Sequence, residues 1–163
     1  MSTVKNLETS FAGESQANRK YLAFAKKADE EGYPAAAKLF RASAEAETIH
    51  AMQQLKALGG IKSTADNLKS AIAGETYEFT EMYPGFIAEA DKPEDKQAKR
   101  AFELANNAEK SHAELYQKAL DSLNEKRDVN YYVCEICGFI TEGSAPDKCP
   151  NCGVPANKFK NIG

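Results

Sequence analysis

The chain carries Glu47-Thr-Ile-His50 and, 62 residues later, Glu109-Lys-Ser-His112. These hold both histidines of the protein, each three positions after a glutamate. On an α-helix, a residue three positions on returns to the same face one turn away. Each pair therefore points a carboxylate and an imidazole in one direction. A second repeat lies upstream of each pair. Phe11-Ala-Gly-Glu14 recurs as Ile72-Ala-Gly-Glu75, 61 residues later. Residues 1 to about 124 thus read as two copies of one helical hairpin.

The flanking sequence supports four helices. Leu7, Phe11, Glu14, Asn18, Tyr21, Ala25 and Ala28 form one helical stripe, ended by Gly32-Tyr33-Pro34. A second helix carries the stripe Phe40, Ser43, Glu47, His50 and Gln54, and Gly59-Gly60 stops it. Ser63-Thr64-Ala65-Asp66 offers a cap for a third helix over 65–91, which Pro84 is expected to kink or break. A fourth helix over 93–124 carries Phe102, Ala105, Glu109, His112, Tyr116, Ala119 and Leu123. The expected fold is mainly α, a ferritin-like four-helix bundle over 1–128 and a small four-cysteine domain over 129–163.

These stripes are apolar or small except at one level, where they carry Glu14, Glu47, His50, Glu75, Glu78, Glu109 and His112. Five carboxylates facing one dry interior would repel each other, and each is costly to desolvate. They must bind cations or take up protons. Two iron ions bring a positive charge close to that of the five carboxylates. One glutamate from each of two helices, with Glu-x-x-His from each of the other two, is the di-metal pattern of ferritin-like bundles. Imidazole with carboxylate suits iron or manganese better than copper or calcium. The competing reading is a solvated charged face, and Glu45, Glu81 and Glu114 are read that way. One position breaks the repeat: Glu14 is followed three residues on by Ala17, but Glu75 by Glu78. One metal then has a spare carboxylate, so the two metals are expected to be inequivalent, with ligand exchange at one of them.

After a polar linker, Glu125 to Asn130, the composition changes to strands and turns. Cys134-Glu-Ile-Cys137-Gly138 and Cys149-Pro-Asn-Cys152-Gly153 form two Cys-x-x-Cys pairs. Together they build a tetrahedral site of four thiolates. Taken alone, the spacing leaves a rubredoxin-type iron and a structural zinc ribbon open. Beside a redox-capable di-iron site, electron transfer through a four-cysteine iron becomes the stronger reading.

The bulk numbers exclude other classes. The net charge of −3 gives no basic footprint for nucleic acid or an anionic membrane. No apolar run is long enough to span a bilayer, and the first residues lack a signal-peptide layout. The expected location is cytoplasmic, where clustered cysteines bind metal rather than pair as disulfides. No Gly-x-Gly-x-x-Gly motif is present for a nicotinamide cofactor.

Over essentially its whole length the sequence resembles the rubrerythrins. The resemblance rests on Phe11-Ala-Gly-Glu-Ser15, Glu47-x-x-His50, Gly74-Glu-Thr-Tyr-Glu78 with Glu81-Met-Tyr-Pro84, Glu109-x-x-His112, and the rubredoxin-like cysteine knuckles. It implies a non-haem peroxidase that reduces hydrogen peroxide to water in defence against oxidative stress. It implies Glu47 and Glu109 as bridging carboxylates, Glu14 and Glu75 as terminal ligands, and His112 on one iron. The other iron would exchange His50 for Glu78 with oxidation state, and Tyr21 and Tyr83 would hydrogen-bond carboxylate ligands. Electrons would come from NAD(P)H through a separate reductase or rubredoxin, by way of the four-cysteine iron. The family places that iron near the di-iron site of a partner subunit. The alternative is a ferroxidase or iron-handling protein that uses dioxygen.

The connection from about Gly59 to Thr64 reaches at most ~20 Å extended. A helix of ~25 residues is ~37 Å long, and the crossover of a ferritin-like bundle runs that length. A homodimer is therefore expected, with the first helix pair of one chain completing the bundle of another.

Overall fold

The computed structural model describes residues 2–163, and it divides into two compact units, Met1–Lys62 and Ser63–Gly163. The first is a helical hairpin, α1 (Thr3–Glu30) and α2 (Pro34–Ala57). Ser2 caps α1 through its side chain, which accepts from Lys5 N–H, and Pro34 opens α2 in its first turn. The seam between the two helices is made of small residues. Ala25 and Ala28 are buried on α1, and Ala37, Ala44 and Ala51 on α2. The α2 stripe read from the sequence, Phe40 to Gln54, is not this seam. It lies beside it and is only half-buried at Glu47 and Gln54. Alanines let two helix backbones approach closely, so they take the contact line and push larger side chains to its flanks.

Among the described residues, Asn18 is the one buried polar side chain. Its Nδ2 donates to Ala44 O at 2.7 Å and to Thr48 Oγ1 at 2.8 Å, and its Oδ1 accepts from Arg19 Nε at 2.8 Å. It ties the centre of α1 to α2 one turn from Glu14. Toward the end of the hairpin, Tyr21, Phe24 and Phe40 form an aromatic cluster with ring centroids 5.6–6.3 Å apart.

The second unit opens with α3 (Thr64–Tyr77), capped by Ser63, whose hydroxyl accepts from Asp66 N–H. The expected break at Pro84 takes another form. A π-helical turn over Glu78–Met82 comes first, and the helix then continues as α4 (Tyr83–Glu89). Pro84 sits in the first turn of α4, where its missing N–H costs little. A short 3₁₀ turn, Pro93–Asp95, leads into α5 (Lys96–Asp121). Tyr83, Phe86 and Phe102 form a second aromatic cluster, with centroids 5.5–6.3 Å apart.

The same unit ends in a three-stranded antiparallel sheet of order β2-β1-β3: β1 (Tyr131–Cys134), β2 (Ile140–Glu142) and β3 (Phe159–Ile162). Tyr131 pairs with Glu142 on one side and Ile162 on the other. The sheet is moored to α5. Asn151 Nδ2 donates to Leu104 O at 2.8 Å, Ser111 Oγ to Ile140 O at 3.1 Å, and Lys118 Nζ pairs with Glu142 at 2.9 Å. Arg127 from the linker closes on the same carboxylate. No helix among the described residues is long and apolar enough to cross a membrane.

Candidate metal centres

The structure brings the expected ligands together in three groups. Glu14, Glu47 and His50 converge in the first unit, Glu75, Glu109 and His112 in the second, and Cys134, Cys137, Cys149 and Cys152 beside the sheet. Each group offers ligand atoms that lie within 4.8 Å of one another. The two carboxylate groups have the same composition and come from equivalent positions of the two hairpins.

Their surroundings differ. His112 Nδ1 lies 2.7 Å from Glu109 Oε2 and 3.5 Å from Glu75 Oε2. Its other nitrogen, Nε2, is 3.0 Å from Gly138 O. A carbonyl can only accept, so Nε2 carries a proton, which leaves Nδ1 as the ring atom a metal beside the carboxylates would take. This is the tautomer that a metal at Nδ1 requires, with the ring oriented from behind by a backbone acceptor. His50 Nδ1 lies 2.9 Å from Glu47 Oε2, but the side chain is 53 % exposed. No hydrogen bond to His50 Nε2 occurs among the described residues.

The second group also has the chemistry of a cation site. Glu75 Oε2 is buried and takes no hydrogen bond. Burial, then the adjacent Glu109 carboxylate, push the Glu75 carboxyl up to about 7. A buried carboxylate oxygen with no donor, beside a second carboxylate and an imidazole lone pair, is a donor set that fits iron.

Glu78 opens the π turn and is half-buried, outside the convergent group. Its carboxyl is raised by burial and then by the charge of Glu75. Tyr83 packs on Phe86 and Phe102, and its phenol is raised by burial and then by Glu109, Glu78 and Glu75. Tyr21 packs on Phe24 and Phe40. Neither phenol hydrogen-bonds a carboxylate among the described residues. Tyr116, one turn beyond His112, received no role in the sequence reading. Its phenol is raised by burial and then by Glu75 and Glu109. Its place on the His112 stripe was the available signal.

The cysteines sit in two knuckles built alike. Cys134 N–H donates to Phe139 O at 2.9 Å, and Gly138 N–H to Cys134 O at 2.9 Å. Cys149 N–H donates to Val154 O, and Gly153 N–H to Cys149 O, both at 2.8 Å. Gly138 and Gly153 have φ of 77° and 79°, the left-handed turn that the knuckle needs and that side chains disfavour. Cys134 and Cys152 Sγ are 3.6 Å apart, as are those of Cys137 and Cys149. Four thiolates ~2.3 Å from one metal stand roughly 3.8 Å apart, so the pocket is a tetrahedral cage rather than a pair of disulfides. Burial pushes the Cys149 thiol up. The N–H groups of Cys152 and Asn151 and the neighbouring thiols outweigh that, and it falls to about 7.

Fold and sites together define a helical carboxylate–histidine metalloprotein with an attached thiolate-metal module. Two family profiles match the chain: rubrerythrin over residues 5–120, and the rubredoxin-like domain of rubrerythrin over 132–160. Rubrerythrin-2 of Clostridium acetobutylicum is 37 % identical, with 97 % of this chain and 95 % of that protein covered. Nigerythrin of Nitratidesulfovibrio vulgaris is 39 % identical, with 97 % and 85 % covered. The solved structure of fully reduced, all-ferrous nigerythrin aligns with a TM-score of 0.60 at 36 % identity, covering 99 % of this chain and 87 % of that one.

The chain belongs to the rubrerythrin family. It is an iron protein of that oxidoreductase family, which is involved in oxidative stress, with a di-iron site and a four-cysteine rubredoxin-like site.

Proposed function

We propose that the protein is a cytoplasmic peroxidase that reduces hydrogen peroxide to water. Glu14, Glu47, His50, Glu75, Glu78, Glu109 and His112 hold two irons over 1–128, and Cys134, Cys137, Cys149 and Cys152 hold one over 129–163. Bound ferrous iron supplies the two electrons that, with two protons, split the peroxide O–O bond into two waters. With iron bound, Glu47 and Glu109 would be shared between the two ions, Glu14 and Glu75 would each hold one, His112 would hold one, and His50 and Glu78 would serve the other by turns. Tyr21 and Tyr83 steady the carboxylates.

The observation that carries this reading is the placement of His112. One ring nitrogen faces Glu109 and Glu75, and the other holds the carbonyl of Gly138, the residue after Cys137. A ligand of one centre thereby touches the chain segment of the other within a single chain. This contact favours an electron port feeding the carboxylate site, which a ferroxidase has no need of. It also differs from the partner-subunit route that the resemblance implies for electron entry. The electrons come from NAD(P)H through a separate reductase or rubredoxin.

The protein acts as a homodimer with exchanged helix pairs. Each hairpin offers three ligands, and the connection from Leu58 to Ser63 reaches only ~20 Å. It is too short to follow the length of α2, ~36 Å for its 24 residues, as a ferritin-like crossover must.

The test is rapid mixing of the reduced, iron-loaded protein with peroxide or dioxygen, following the visible band of ferric thiolate iron. Fast return with peroxide and slow return with dioxygen is expected. Faster oxidation by dioxygen would favour the ferroxidase, and no band at all would mean zinc in the cysteine site.

A further inference from the structure

A crevice runs through the second unit between α3, α5, the linker and the sheet. Its inner part is a cavity of about 300 Å³, walled by Leu68, Leu115, Ala119, Val133, Ile140 and Ile162. The phenols of Tyr116 and Tyr131 and the ring of His112 are the polar groups on that wall. The outer part is a cavity of about 320 Å³ that opens between Thr64, Lys126, Arg127 and Asp128. Leu68, Ala119 and Tyr131 line both parts, so the two are continuous. All of these residues lie within Ser63–Gly163. Glu75 and Glu109 line neither part. The crevice is therefore separate from the carboxylate cluster and meets it only at the ring of His112.

The sequence of α5 keeps this passage open. His112, Leu115, Tyr116 and Ala119 follow one another at helical spacing and face the same side. At Ala119, where the inner and outer parts meet, the stripe carries only a methyl group. An apolar cavity with a few polar groups at its end is the usual form of a small-molecule site. From His112 to Leu123, a lining residue of the outer part, α5 rises ~16 Å. That is roughly the length of an extended chain of ten to twelve carbons with ~1.5 Å bonds.

The mouth decides the charge of the ligand. Arg127 and Lys118 both pair with Glu142. Lys126 is exposed, and its ammonium has no hydrogen bond or ion pair among the described residues. It holds a φ of 48° just after the 3₁₀ turn Leu123–Glu125, a left-handed conformation that glycine or asparagine adopts at lower cost. Asp128 is the acidic group of the mouth. Lys118, Lys126 and Arg127 against Glu142 and Asp128 leave an excess of positive charge.

We propose that the crevice binds a straight-chain carboxylate of about ten to twelve carbons, with its headgroup at Lys126 and its chain laid past Ala119 to end against the ring of His112. The bound chain displaces water from the side of His112 that faces the sheet. This site does not depend on which oxidant the carboxylate centre uses.

The experiment is calorimetric titration of the iron-loaded, full-length protein with sodium decanoate and with sodium hexanoate, both kept below micelle formation. One decanoate per chain should bind, about tenfold or more tighter than hexanoate, because four more methylenes leave water. Lys126→Glu should weaken decanoate by about tenfold and remove the salt dependence of its binding. Ala119→Phe should abolish binding, with iron content and thermal melting showing that this variant is folded. Lys126→Glu changes an exposed side chain and tests the headgroup site whatever the packing at Ala119. The chain has two histidines, which locates the tail. In proton spectra of the zinc-loaded protein, decanoate should move the ring signals of His112 and leave those of His50 in place. Absence of binding, equal affinity for hexanoate, an unchanged affinity in Lys126→Glu or a shift at His50 alone overturns the proposal. Absence of binding in a protein that light scattering shows to be dimeric assigns the crevice to the partner's helices instead.

Discussion

The two helical hairpins carry the same ligands in the same order, yet they treat them differently. In the first, α1 runs unbroken past Glu14, and His50 has one partner and an exposed ring. In the second, a π turn follows Glu75, and His112 is held from both sides, by Glu109 and by Gly138 O. A duplicated hairpin supplies two equivalent ligand sets. The two ligand sets differ in what stands behind them: a π turn and a docked sheet in the second hairpin, neither in the first. The same asymmetry holds His112 from both sides and leaves the His50 ring exposed.

The largest effect should come from letting the two hairpins of one chain meet. Lengthening the Leu58–Ser63 connection by about 20 flexible residues adds roughly 60 Å of reach. If helix pairs are exchanged as proposed, light scattering should then show a dimer of the parent replaced by monomer, with the iron content kept. A parent protein that is already monomeric breaks the argument.

Next is the contrast between the imidazoles. His112→Ala should lower peroxide turnover by about 100-fold and His50→Ala by about tenfold, since only His112 is oriented by a partner behind it. Equal losses in steady-state assays would remove the distinction.

A smaller effect concerns the hairpin seams. Asn18→Ala removes two buried donors and leaves Ala44 O and Thr48 without them. It should cost about 1–2 kcal/mol in urea unfolding of the metal-free protein. A loss below a few tenths would mean that the alanine seam alone aligns α1 with α2.

A further effect is a pH dependence confined to the second hairpin. The folded Glu75 carboxyl titrates at about 7, against 4.5 for its ordinary value. Between those values the folded chain keeps a proton that the unfolded chain has lost. The stability of metal-free protein should therefore decline as pH rises from about 4.5 to about 7, then level off. Iron or zinc should erase the decline, because a cation replaces the proton. Thermal melts of chelated and loaded protein across that range test it. A flat metal-free profile would place Glu75 in contact with solvent.

Most of the site was legible before any coordinates, because its signals are local. Glu47 and His50 share a face through helical periodicity alone, as do Glu109 and His112. Each Cys-x-x-Cys closes within one turn, and Ser63 caps its helix through a contact three residues long. The caps, the hairpin turns and the two-copy organisation follow from the same short-range rules. Where the sequence reading departed from the structure, a distant contact decided. The buried line of α2 runs through Ala37, Ala44 and Ala51 because α1 lies against it, not because those residues are the more apolar. Pro84 produced no break, because it falls in the first turn of α4, directly after the π turn, where its missing N–H costs little.

By itself, then, the sequence determined the helices, the faces that carry the candidate ligands and the family, since each depends on spacing within a few residues or on matched motifs; it read the carboxylates and histidines as one site, which the structure shows as two separate trios without Glu78. Only the tertiary structure decided that His112 is pinned to Gly138, that Glu75 has a buried oxygen without a donor, and that Asn18 locks the first hairpin. Those contacts join residues 26 to 30 positions apart or depend on burial by several elements at once. No periodicity along the chain encodes them.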